Sequence, residues 1–309
     1  MLYDLIILGA GPAGITASVY AARKRMNFIV ITGDIGGQAA WSGDIENYTG
    51  YQIVTGPELV KKFEEHMHQY NIPLKEGEQA IALEKKGNLL EVKTEEAIYQ
   101  CKTCIVATGK KVRELKVPGE KEYKNKGLTY CATCDGPLFA NKDVAVIGGG
   151  NSALDACLQL VKIAYKVYLI NNTPALGGDP IMREKVTASD KVTILNNHVV
   201  TEVVGDKMVT GIRVREVKDP SKPSKAAEKL LNLHGVFVEI GLVPNSDFVK
   251  GVEKNKIGEI IVDCHNSTTV PGIYAAGDVT SVPEKQIIIA AGEGAKALLS
   301  AFRYLATNK

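Results

Sequence analysis

A glycine-bracketed turn that occurs twice constrains this chain more than any other feature. The run Asp4–Gly14 (DLIILGAGPAG) returns as Asp143–Ala153 (DVAVIGGGNSA). Each copy is a short apolar run closing on glycines, as a buried parallel strand does. A helical stretch follows each, Ile15–Arg25 and Leu154–Ala164, and then a second apolar run, Phe28–Ile31 and Val167–Ile170. The chain therefore holds two βαβ units. Gly9, Gly11 and Gly14 fit G-x-G-x-x-G, and Gly148, Gly150 and Ala153 fit its alanine variant. The first glycine permits the tight turn and the second lets a pyrophosphate approach the backbone. The third position allows close helix–strand packing, with the phosphates at the helix N-terminus.

A second echo supports duplication. Cys104–Gly109 (CIVATG) resembles Val236–Gly241 (VFVEIG), each an apolar strand closed by glycine, and Pro118 and Pro244 follow in linker-like stretches. The remaining tail holds a strand (Gly272–Ala276), the pair Gly277-Asp278 and an apolar helix (Ile287–Tyr304), too little for a third domain. The expected fold is α/β, with two Rossmann-like dinucleotide-binding domains, the second inserted in the first. The first would comprise residues 1–112 and 243–309, the second 113–242. In the acidic position that usually reads a ribose 2′-OH, the second strands end at Thr32 and Asn171. Asp34 is a substitute in the first unit, and Asn171 could hydrogen-bond a ribose without charge.

Composition sets the bounds. The 309 residues are 45% apolar and 23% charged, with a formal charge of +2, so nucleic acid is not an expected partner. Glycine is in surplus, 30 residues against a usual frequency of roughly 7%. No secretory leader is read at the start, and no apolar stretch reaches the ~20 residues of a membrane span. A cytoplasmic, reducing setting is expected, in which the six cysteines are redox or packing groups rather than a disulfide scaffold.

Cys131-Ala-Thr-Cys134-Asp135-Gly136 reads as a reachable dithiol just ahead of a short helix, with Asp135 able to shuttle the proton that exchange needs. Cys104 opens an apolar strand and reads as packing, while Cys157 in a helix and the isolated Cys264 read as inert. Two C-x-x-C pairs also raise a zinc ribbon, but one pair enters a buried strand and the spacer is too long; no metal site is expected. His66, His68, His198, His234 and His265 show no triad spacing.

These features together resemble the low-molecular-weight thioredoxin reductases, class II FAD-dependent pyridine nucleotide-disulfide oxidoreductases, over nearly the whole chain. Gly9, Gly11, Pro12, Ala13 and Gly14 resemble that family's FAD pyrophosphate loop. Gly36, Gly37, Gln38 and Asn47 match its stretch beside the flavin, and Ala107, Thr108 and Gly109 its strand-end fingerprint. Gly277-Asp278 is similar to its glycine–aspartate pair on the ribityl side, and Gln286-Ile287 to a stretch lying against the isoalloxazine. The resemblance implies a relay from FAD to a Cys131–Cys134 disulfide and on to thioredoxin. Cys134 would be nearest the flavin, Cys131 the attacking sulfur and Asp135 the acid/base. It also implies a homodimer and rotation of the inserted domain about the linkers.

The chain departs from this family at the nucleotide-reading segment. Where the family has a His-Arg-Arg run and a further Arg, residues 171–182 (NNTPALGGDPIM) contain no Arg or Lys, so a 2′-phosphate finds no local cation. This resembles the ferredoxin-dependent branch. From a plant-type ferredoxin to thioredoxin, two electrons run about 6 kcal/mol downhill. Arg23-Lys24-Arg25 and Lys110-Lys111 with Arg113 are candidate basic faces for an acidic donor. The expected function is a flavoprotein thioredoxin-disulfide reductase fed by reduced ferredoxin, with NADH next and NADPH last. The alternatives are an NAD(P)H-dependent thioredoxin reductase and a flavin redox sensor or electron carrier.

Overall fold

The computed structural model describes residues 2–42, 44–45, 47–217 and 226–307, apart from the side chains of Trp41, Asp44 and Cys134. The chain divides into two compact units, Met1–Lys111 with Val243–Lys309, and Val112–Leu242. The α/β class expected from the duplicated turn is what the chain adopts.

The first unit is built on a seven-stranded sheet. Strand Leu2–Ala10 lies at its centre, paired in parallel with Phe28–Ile35 on one side and Ile98–Val106 on the other. Leu74–Glu76 extends it beyond Phe28–Ile35, and Ile273–Ala275 joins Ile98–Val106 in parallel. Successive side chains point to opposite faces. Leu5 and Ile7 thus enter a core with helix Pro12–Arg23 and the C-terminal helix Ile287–Thr307, while Ile6 and Leu8 pack with Leu83, Leu90 and Ile260. Both faces are buried, which is why this strand reads as one unbroken apolar run.

The second unit repeats the arrangement around Asp143–Ile147. It pairs in parallel with Lys166–Ile170 and with Gly235–Val238, and Leu128–Thr129 and Val192–Leu195 form the edges. An antiparallel three-stranded sheet, His198–Gly205, Val209–Glu216 and Glu228–Asn232, completes it. Among the described residues no helix is long and apolar enough to cross a membrane.

Several boundaries differ from the sequence expectation. Both glycine-loop helices start directly on the loop, at Pro12 and Asn151, because loop glycines occupy both N-cap positions and, in the first, the proline is preset for the opening turn. They stop early, at Arg23 and Leu160; Arg25 has turned to φ +52°. Cys104 does not open its strand, which begins at Ile98, so Cys101 is buried in it as well. The strand expected over 236–241 ends at Val238, leaving Glu239 beyond its end.

The C-terminal helix crosses the first glycine-loop helix through Gly294, where a Cβ would stand 2.0 Å from the Ala13 carbonyl oxygen. Gly292, two residues earlier, has nothing within 4 Å of that position. Helix propensity alone favours alanine at both by about 1 kcal/mol. Gly292→Ala is therefore expected to raise the unfolding midpoint. Gly294→Ala should lower it, with a loss of stability of about 1–3 kcal/mol from overpacking against backbone. Denaturant titration of the two variants reads the opposite signs.

Candidate functional site

In the first unit the chain crosses itself where only glycine fits. Gly9 has φ +101°, and its Cβ would lie 2.4 Å from the Ala107 carbonyl oxygen; a Cβ on Gly14 would lie 1.9 Å from the Gly9 oxygen. These contacts seat the helix N-terminus against the ends of the two central strands. The cap residue Gly11 offers no side-chain acceptor and Pro12 follows it, so the first-turn N–H groups open outward without a side-chain cap. A Cβ on Gly11 would approach only the Gly36 oxygen, at 4.0 Å, and one on Gly37 only the Gly11 Cα, at 3.6 Å. Three backbone segments without side chains thus border one opening.

Its far wall comes from the C-terminal part of the chain. Gly277, at φ +78°, sits against Ala13, and its N–H donates to buried Glu293 at 2.6 Å. The neighbouring Asp278 carboxyl is pushed up from its ordinary pKa by burial, and no described residue hydrogen-bonds to it. Lys110 and Lys285 each reach Glu259 at 3.0 Å, with Asp278 in the same charge cluster. The Gln38 amide donates to the Lys110 carbonyl at 3.2 Å, and Asn47 donates to Gln286 at 2.9 Å. Thr108 and Asn245 exchange side-chain-to-carbonyl bonds of 2.7 and 2.9 Å, fixing the chain ahead of Gly109. Ile287 starts the C-terminal helix and packs beside Ile45 and Leu59.

Asp34 is exposed and its carboxylate has no partner among the described residues, while Thr32 is the inner group, accepting from Ala10 N–H and donating to the Asp34 carbonyl. One expectation fails here. Lys110 is engaged with Glu259 at 12% side-chain exposure, so it does not belong to a basic docking face.

In the second unit Gly148, at φ +141°, makes the corresponding crossing against the Glu239 carbonyl oxygen, 2.2 Å from its Cβ position. Helix Asn151–Leu160 starts on Gly150 without a side-chain cap, and nothing lies within 4 Å of the Gly150 Cβ position. Asn171 does not offer itself to a ribose. It is 2% exposed, and its amide donates to the Thr173 and Ala175 carbonyls and to Asn196 Oδ1, while its own oxygen accepts from Thr173. The loop it holds returns to the glycines: Gly177 N–H donates to the Gly149 carbonyl at 2.8 Å. Arg183, one residue past the cation-free segment, reaches back to the Leu176 carbonyl at 3.3 Å.

The Cys-Ala-Thr-Cys segment lies in this unit. Cys131 is partly buried and disulfide-bonded; the side chain of Cys134, expected nearest the flavin, lies outside the described residues. Thr129 ends its strand with a hydroxyl that accepts from Cys131 N–H at 3.2 Å and donates to the Asp135 carboxylate in a short bond. One side chain thereby holds both ends of the turn. The two central residues are held from the other side. Ala132 N–H donates to the Glu239 carboxyl, and Thr133 donates to Gln159 at 2.9 Å, which donates to Asp155 at 2.7 Å. Burial, reinforced by Asp155, pushes Glu239 up to about 8.

The other thiols differ. Cys101, Cys104 and Cys157 are fully buried, and burial raises the Cys104 thiol and pushes Cys157 up to about 12. Cys264 is exposed. No group of three or more potential metal ligands occurs among the described residues. Sequence reasoning missed Thr129, Gln159 and Glu239. The one signal was a charged residue inside the apolar run that closes on Gly241.

Comparison with known proteins gives the same outline. The profile of the pyridine nucleotide-disulphide oxidoreductases matches residues 3–294. An alkyl hydroperoxide reductase component of Staphylococcus aureus is 44% identical over 308 residues, covering 99% of this chain and 60% of that protein. A Bacillus subtilis protein named NADH dehydrogenase is 43% identical over 310 residues, 99% of this chain and 59% of its own length. The chain thus spans about 60% of the curated relatives it matches. Lactococcus lactis thioredoxin reductase superposes with a TM-score of 0.86 at 33% identity, over 99% of both chains. A ferredoxin-flavin thioredoxin reductase from Clostridium acetobutylicum gives 0.55 at 30% identity, again over 99% of both.

Thr129→Val removes the shared hydroxyl and is expected to destabilise the protein by about 1.5–3 kcal/mol, the range for a hydrogen bond to a charged group. Thr129→Ser should recover most of that loss, as read by chemical denaturation.

Proposed function

The chain belongs to the pyridine nucleotide-disulphide oxidoreductase family, and on that premise we propose that it is an FAD-dependent disulfide reductase acting on thioredoxin. The observation that carries this reading is the Cys131 disulfide in a turn held at both ends by Thr129, with the Asp135 carboxylate inside the same bonding unit. A packing cysteine needs no such frame, as fully buried Cys104 and Cys157 show.

The first unit fits FAD on its own residues. Gly9, Gly11 and Gly14 with Pro12 and Ala13 would take the pyrophosphate at the uncapped helix N-terminus. Gly36, Gly37, Ala107, Thr108 and Gly109 would border it, and the unpartnered Asp278 carboxyl would bond the ribityl hydroxyls. Gln38, Asn47, Gln286 and Ile287 would flank the ring. FAD, when bound, supplies a two-electron couple for opening a disulfide. Cys134 would receive that pair, Cys131 would attack the external disulfide, and Asp135 would move the proton. A homodimer and a cytoplasmic setting accompany this reading.

For the donor, the geometry favours reduced ferredoxin. Asn171 is occupied by its own loop, and residues 171–182 carry no cation for a 2′-phosphate, which puts NADPH last. NADH is the second reading, supported by the open helix N-terminus at Gly150 and by the relative named NADH dehydrogenase.

Anaerobic titration of the flavin is expected to show rapid bleaching by reduced ferredoxin, slower bleaching by NADH and the least by NADPH. Rapid bleaching by NADPH would reverse this order. Cys134→Ser should bring thioredoxin reduction to background while leaving flavin binding intact. Undiminished turnover in that variant would make the dithiol regulatory and the protein a redox sensor or electron carrier.

A further inference from the structure

The geometry points to Glu120 as a positioning residue that ties the Cys131 side of the redox turn to the segment by which the chain enters the second unit, an inference that rests on the dithiol reading above. Glu120 is 3% exposed. Its Oε1 accepts from the Leu115 N–H at 2.7 Å and from the Tyr130 hydroxyl at 2.8 Å, and its Oε2 accepts from the Lys116 N–H at 2.6 Å. Tyr130 is bonded to Cys131, whose own N–H donates to the Thr129 hydroxyl at 3.2 Å. Leu115 and Lys116 lie just past Val112, where the second unit begins. One buried carboxylate therefore joins two stretches that the sequence holds apart.

The backbone keeps this carboxylate in place. Gly119 has φ +82°, and a Cβ there would stand 2.0 Å from the Val203 carbonyl oxygen, while the Val203 N–H donates to the Pro118 carbonyl at 3.0 Å. Glu120 is thereby fixed to strand His198–Gly205 of the same unit. Lys116 adopts φ +61°, a left-handed conformation that costs a lysine free energy, and its bond to Glu120 offsets that cost. Burial and the Glu120 acceptor push the Tyr130 hydroxyl up from its ordinary pKa, so it remains a donor. The Lys124 ammonium lies 5.4 Å from the same ring's centroid. A carboxylate this deep is stable only while donors meet it.

The disulfide makes the tie sensitive to redox state. While it is closed, Cys131 fixes the chain on one side of Tyr130, and strand Leu128–Thr129, paired with Gly235–Val238, fixes it on the other. Reduction by a dithiol breaks the S–S bond: two electrons and two protons pass to the cysteines, leaving two thiols, and the reductant closes to its own disulfide. One of the two constraints on Tyr130 is then gone. Its hydroxyl moves off Glu120, and the carboxylate turns to water for the missing donor. The Leu115 and Lys116 N–H groups lose their acceptor, so the segment that leads into the unit loosens when the dithiol forms.

The measurement is hydrogen–deuterium exchange of the Leu115 and Lys116 amides in the full-length holoenzyme, first with the disulfide closed and then after anaerobic reduction by dithiothreitol. The expected result is exchange about tenfold faster in the reduced wild type. Tyr130→Phe removes one hydroxyl and should give the faster rate in both states, so that the redox difference disappears. Glu120→Gln should do the same. Equal rates in the two states of the wild type overturn the proposal, since a merely structural carboxylate protects these amides alike in both. A tenfold redox response that survives in Tyr130→Phe overturns it as well. The wild-type comparison decides even if a substitution fails to fold. Failure of the disulfide-reductase reading appears separately, as thioredoxin turnover without Cys134, and leaves these exchange rates unchanged.

Discussion

The contact between one backbone carbonyl and a glycine without a side chain sets the position of nearly everything else. At Gly9 and Gly14 the strand end, the following helix and the Ala107 turn meet at distances no Cβ tolerates. Gly277 then packs on Ala13, and Gly294 on the carbonyl of the same residue. The segment carrying Asp278 is thereby fixed to a helix more than two hundred residues earlier in sequence. The inserted unit repeats the contact with Glu239 in the place of Ala107. A turn that brings a backbone close to a ligand also dictates which neighbouring residue stands over the loop.

That placement separates the cysteines by environment. Desolvation holds Cys104 and Cys157 in the thiol form. Cys131 sits where Thr129, Asp135 and Glu239 reach its turn through hydrogen bonds. Spacing does not distinguish these sites, since Cys-Lys-Thr-Cys and Cys-Ala-Thr-Cys share it; the apolar run after Cys104 does. The distinction is whether the pair lies on a strand buried on both faces or on a turn between strands.

The architecture is legible because it is written in local patterns: apolar runs, glycine spacing and a repeat. Those signals alone place Gly9, Gly11, Gly14, Gly277 and Asp278 in one unit. Helix starts are displaced because Leu154 and Ile15 mark where apolar periodicity becomes visible, whereas the helix begins with the cap geometry at Gly11 and Gly150. The supports of the redox turn are not legible. Thr129, Gln159 and Glu239 come from three different parts of the chain, and only the sheet order brings them to one turn. Thr32 and Asp34 share a face of their strand, and burial ends between them, so that Asp34 stands exposed near the strand's end.

The saturated bonding of Asn171 bears on how readily a protein like this changes its electron source. An acidic residue at that position would supply a ribose reader by sequence, yet it would take the amide donor from Asn196 Oδ1 and set a charge beside the Thr173 and Ala175 carbonyls, which keep the Asn197 N–H and the Thr173 hydroxyl. Each buried polar group left unpaired costs about 1–3 kcal/mol. A change at position 171 therefore calls for a matching change at Asn196, on a separate segment of the chain.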